Sequence, residues 1–118
     1  MIDEIRSYCL AKPGVEETFP FDDVTLVFKV GGKMFLMLPL DNPEFVSVKC
    51  DPDRAKDLRD AYCDILPAWH MNKRHWNMMR IRGAIPRHLF FELIDHSYSL
   101  VVAALPRAIR ENILACDR

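Results

Sequence analysis

No apolar run in this chain approaches the about 20 residues of a membrane span. The opening stretch, Met1 to Arg6, lacks a basic flank followed by an apolar segment, so it does not read as a secretory leader. The four cysteines, at positions 9, 50, 63 and 116, include no pair at the short spacing of a zinc knuckle or redox dithiol, and they read as reduced thiols. There are only four glycines, and Gly31-Gly32-Lys33 lacks the Ser/Thr and the helix of a phosphate loop. A net charge of −1 excludes a strongly basic, histone-like protein. Half of the 118 residues are apolar and 28% are charged. That balance suits a single globular domain over 1–118, large enough to bury its own core, and the expected setting is cytoplasmic.

Charge is unevenly spread. Residues 1–64 carry 8 Lys/Arg against 13 Asp/Glu, whereas residues 65–118 carry 8 against 4. The 27 residues between Asp64 and Glu92 contain no acid, yet hold Lys73, Arg74, Arg80, Arg82, Arg87, His70, His75 and His88. Such a run is either a solvated surface or an anion-binding one.

The local patterns define elements. Ile2, Ile5 and Cys9 predict a helix over 2–12, stopped by Pro13-Gly14. A polar loop with Glu16-Glu17 and Asp22-Asp23 follows. Two β-rich runs, 24–30 and 33–38, flank Gly31-Gly32, a tight-hairpin turn. That turn predicts Phe28 opposite Phe35 and Leu26 opposite Met37, with Val27 and Leu36 sharing the other face. A third strand over 44–50 alternates Val46, Val48 and Cys50 with Phe45, Ser47 and Lys49. Asp51-Pro52 starts a helix, because Asp caps free amides and Pro fits the first helical position. Residues 64–75 read as a loop, and 76–82 as a fourth strand with Met79 and Ile81 inward and Trp76, Met78, Arg80 and Arg82 outward. Pro86 opens a long helix whose apolar side is Phe90, Leu93, Ile94, Ser97, Val101 and Ala104; a short helix follows Pro106. The order predicts an α+β fold: a mostly antiparallel sheet of four or more strands with helices packed on one face.

Five segments resemble the MmcQ/YjbR family in the same order along nearly the whole chain. They are Gly31-Gly32-Lys33-Met34-Phe35, Lys49-Cys50-Asp51-Pro52, His70 through Trp76, Ser97-Tyr98-Ser99-Leu100-Val101, and Leu105-Pro106-Arg107. Leu66-Pro67-Ala68-Trp69 and Arg107 depart from the pattern, which expects a Gly-Tyr-type pair and a lysine. The resemblance implies a frataxin-like or double-wing domain and a DNA-binding role, the latter by analogy of fold.

The densest candidate site is the stretch 69–76. Lys73 and Arg74 can displace counterions from phosphates, and Trp69 and Trp76 can stack on bases. The adjoining strand adds Arg80 and Arg82 on the face of Trp76, and Lys49, Phe45 and Lys29 join that face if the pleats align. The candidate nucleic-acid-binding set is therefore Lys73, Arg74, His75, Trp76, Arg80 and Arg82. The competing reading is architectural: the indoles lock the loop, and Asn72 and His75 bond its backbone. His70, His75 and Cys63 have no recognised zinc spacing, the carboxylates no cation-loop spacing, and Ser97-Tyr98 lies in a helix rather than on a nucleophile elbow. No enzyme, metal or cofactor is expected. The partner suggested is DNA, with an acidic protein or a phosphorylated small molecule as the alternative.

Overall fold

A computed structural model describes residues 1–69 and 71–115; His70 and Cys116 lie outside the described residues. The elements run α1 (Ile2–Leu10), β1 (Val15–Thr18), β2 (Thr25–Val30), β3 (Lys33–Pro39), β4 (Phe45–Lys49), α2 (Pro52–Ala61), β5 (Ile65–Pro67), β6 (Trp76–Arg80), α3 (Arg87–Ala103) and α4 (Arg107–Ala115). The strands form one six-stranded sheet in the order β1-β2-β3-β4-β6-β5, with every neighbouring pair antiparallel.

The helices cover one face. Alternation sends Leu26, Phe28 and Val30 of β2, Val46 and Val48 of β4 and Met79 of β6 into one core with Phe90, Leu93, Ile94 and Val101 of α3. Ser97 is on the buried side of α3 as expected, but Ala104 is exposed. α2 starts as its sequence dictates: the Asp51 carboxylate accepts from the Arg54 amide at 3.1 Å, and Pro52 opens the first turn. α1 is pinned to α3 through Asp95, which accepts from the Tyr8 hydroxyl at 2.7 Å and from Lys12. Burial, with Asp95 adding to it, pushes the Tyr8 hydroxyl up to about 12.

The structure corrects three local expectations. The hairpin turns at Gly31-Gly32, at φ 59° and 79°, and pairs Val30 with Lys33 and Lys29 with Met34. A bulge between Phe28 and Lys29 then shifts the register by one. Phe28 faces Leu36 instead of Phe35, Leu26 faces Leu38 instead of Met37, and Val27 shares its face with Met37 rather than Leu36. The Phe28 and Phe35 rings still meet, with centroids 6.5 Å apart. Two segments read as loop are edge strands: β1 pairs with β2 despite Glu16-Glu17, and β5 pairs with β6 within the 64–75 segment. β6 also stops at Arg80, two residues short of the expected end.

Candidate nucleic-acid interface

The face away from the helices carries the side chains of interest. β4 and β6 align Lys49 with Trp76, Ser47 with Met78 and Phe45 with Arg80, so the condition that put Lys49 and Phe45 on the face of Trp76 is met. On this face Val27, Ser47 and Trp76 are nearly inaccessible.

The six candidate residues do not form one patch. β6 separates them, and its two ends are about 14 Å apart at the usual rise per residue. Lys73, Arg74, His75 and Trp76 lie where β6 begins, beside Lys49 at the end of β4 and near the β2–β3 turn with Lys33. Arg80 and Arg82 lie at the opposite end, with Phe19, Phe21, Asp22, Asp23, Asp41 and Glu44 in the connecting loops.

Arg80 is occupied. Its guanidinium pairs with Asp64 at 3.0 Å and with Glu44, and it stacks 4.6 Å over the Phe45 ring. The Asp64 hydrogen bond, assisted by Glu44, raises the Arg80 pKa, while the Ala84 amide and Arg80 hold the Asp64 carboxyl below the ordinary range. Arg82 is exposed, and lines a hollow of about 490 Å³ with Asp3 and Glu44. Two carboxylates in that wall oppose an anionic ligand.

At the other end the two readings of the 69–76 stretch each describe part of it. The Asn72 side chain accepts from the Arg74 amide, its carbonyl accepts from the His75 and Trp76 amides, and Trp76 is 8% exposed. These residues are architecture. The His75 carbonyl likewise receives the Cys50 amide at 2.7 Å and ties the loop to β4. Trp69 is different. It is 57% exposed, and the Lys73 ammonium stands 5.1 Å from its ring centre. Lys73 and Arg74 are exposed, and no carboxylate among the described residues pairs with either.

The roles of several residues here escaped the sequence reading. Asn77 points to the helical face, donating to the Ala55 carbonyl at 3.2 Å and accepting from Arg59 at 2.7 Å; Arg59 also reaches the Lys73 carbonyl. The Ser97 hydroxyl, fully buried, accepts from the Lys49 amide at 2.9 Å and donates to the Phe35 carbonyl at 2.5 Å. Polar residues in apolar patterns were the available signal. Among the described residues no group of three His, Cys, Asp or Glu side chains is placed to hold a metal ion. Cys9 and Cys50 are buried, which pushes their thiols up to about 12 and about 11, while Cys63 is exposed. No helix among the described residues is long and apolar enough to cross a membrane.

Similarity to known proteins spans the whole domain. The sequence model of the YjbR family matches residues 10–100. An uncharacterized protein of Escherichia coli (strain K12), YjbR, is 35% identical over 114 residues, which are 96% of this chain and 97% of that protein. A second uncharacterized protein, YbdF of Escherichia coli O157:H7, is 34% identical over 109 residues, 92% of this chain and 89% of that one. The crystal structure of Deinococcus radiodurans protein DR2400 superposes with a TM-score of 0.91 at 39% identity, covering 99% of this chain and 90% of that one. A Pseudomonas syringae protein shares the fold at a TM-score of 0.70 and 22% identity, over 84% of this chain and 97% of its own. With a family model spanning most of its length and full-length relatives above 30% identity, the chain belongs to the YjbR family.

Proposed function

We propose that this protein binds nucleic acid, in single-stranded form, through the loop at the start of β6. Lys73 and Arg74 meet phosphates, and Trp69 stacks on a base. The observation that carries this reading is the exposed Trp69 indole beside the Lys73 ammonium, in a segment where Lys73 and Arg74 have no carboxylate partner among the described residues. An aromatic ring flanked by cations is the minimal unit of a single-strand platform, because every base has a face to stack and every nucleotide carries a charge. Arg80 and Arg82 fall outside this surface, being at the acidic end of the sheet. The role is binding, without chemistry on the bound strand.

The test is a titration of the full chain with labelled single-stranded and duplex oligonucleotides at two salt concentrations, read by anisotropy and tryptophan quenching. The Lys73→Gln/Arg74→Gln variant is expected to weaken binding and lower the salt slope by about two. Trp69→Ala is expected to remove the quenching and to cost about 1–3 kcal/mol of affinity. No binding at low salt would overturn the reading. A slope below one, with competition by a phosphorylated small molecule, would hand the loop to the small-anion alternative.

A further inference from the structure

We propose a small-molecule site in the cleft between β3 and β4, taking an amphipathic carboxylate whose head sits between Lys33 and Lys49 and whose apolar body lies on the end of α3. This site does not rest on the nucleic-acid reading.

The cleft opens where the β3–β4 ladder ends. β3 and β4 pair at Met37–Ser47 and Leu36–Val48, and there the ladder stops. The next rung would join Phe35 to Lys49, but the Ser97 hydroxyl stands in it, bonded to the Lys49 amide and the Phe35 carbonyl. Beyond that point β4 turns toward the loop before β6, where the Cys50 amide finds the His75 carbonyl. The strands therefore part at the basic end, and α3 fills the gap from below. The opening, of about 330 Å³, is lined by Met34, Val101, Ala104, Leu105 and Pro106 together with Lys33 and Lys49. That volume is at the small end of ligand sites.

Two features fit an amphipathic anion. The walls are apolar, so a hydrocarbon body gains by leaving water. The lining includes two lysines, Lys33 and Lys49, with no carboxylate partner among the described residues, so an anionic head in the cleft gains a charge-assisted contact. The floor is also held in place: a Cβ at Gly31 would stand 2.6 Å from Leu105 Cδ1, so only the bare turn lets Leu105 seat there.

Octanoate, octan-1-ol and octylammonium, added to the isotope-labelled full chain and followed by amide NMR shifts, test the site. Octanoate is expected to give saturable shifts at Lys33, Met34, Lys49 and Leu105, with the alcohol and the amine binding about tenfold more weakly or worse. Lys33→Gln/Lys49→Gln is expected to remove that preference at an unchanged melting midpoint. Ala104→Trp, at an exposed position, is expected to block octanoate with both charges kept. Lys73→Gln/Arg74→Gln is expected to bind octanoate normally, which separates this site from the oligonucleotide surface. Equal binding of the alcohol, shifts confined to another surface, or no saturable shift would each overturn the proposal.

Discussion

The two ends of the sheet have opposite chemistry. At the end holding the β2–β3 turn and the start of β6, Lys33, Lys49, Lys73 and Arg74 gather, with Asp51 already committed to capping α2. At the other end the loops present Asp22, Asp23, Asp41, Glu44 and Asp64 beside the exposed Phe19 and Phe21, and Arg80 is neutralised by two carboxylates. Net charge near zero thus hides a molecule divided along its strands. Charge counted along a chain and charge arranged in space are different quantities, and only the second attracts a ligand.

A glycine underlies each end, which gives the sharpest way to break the comparison. Gly31→Val is expected to have the largest effect: positive φ and the clash with Leu105 act together, and a loss of about 3 kcal/mol or more should appear in chemical denaturation. Gly32→Val, with φ 79° and open space around its Cβ, should lose only about 1–2 kcal/mol. Gly83→Ala acts at the acidic end, where the new Cβ would stand 2.5 Å from Asp64 Oδ2; a lower denaturation midpoint is expected as Asp64 is pushed from Arg80 and from the Ala84 amide. Arg80→Gln should lower the melting midpoint slightly and leave the oligonucleotide salt slope unchanged. Lys73→Gln should show the reverse, and if Arg80→Gln moves the slope as much, the division of the sheet into two ends is wrong.

The smallest effect is a pH dependence at the basic end. His96 Nε2 accepts the Asp51 amide at 3.2 Å, which requires that nitrogen to be unprotonated. Burial, with Arg54 beside it, holds the His96 pKa below its ordinary 6.5. The unfolded chain therefore takes up the proton first. This contribution to stability is complete above about pH 6.5 and declines as pH falls below it. Denaturation midpoints of wild type and His96→Gln between pH 7.5 and 5.5 should converge toward the acid side. A wild-type curve parallel to the variant would remove His96 as the cause.

Local chemistry made much of the fold legible. Gly31-Gly32 fixed a turn, Asp51-Pro52 a helix start, and the alternation in 45–49 and 76–80 the two faces of β4 and β6. The bulge was invisible because either register of Phe28 against the Phe35–Leu36 pair buries large apolar groups. β1 and β5 were missed because an edge strand needs little apolar patterning, and Glu16-Glu17 and Pro67 contradict what there is. The candidate site was half legible. Glu44 and Asp64 reach Arg80 from 36 and 16 residues away, so a stretch without acids in sequence is not one in space. The Ser97 bridge between β3 and β4 likewise joins residues 48 and 62 positions apart.

The two edge strands also bear on solubility. A sheet closed by helices on one face still exposes unpaired amides and carbonyls along its margins, where another chain can add as a further strand. Here one margin is the four-residue β1, with two adjacent glutamates, one of them held by Arg6. The other is the three-residue β5, which ends in a proline that has no amide to donate. Neither offers a long, flat template. The features that conceal these strands in the sequence are thus the ones that keep one molecule's sheet from continuing into the next, and they protect the protein against fibrous aggregation when it is concentrated.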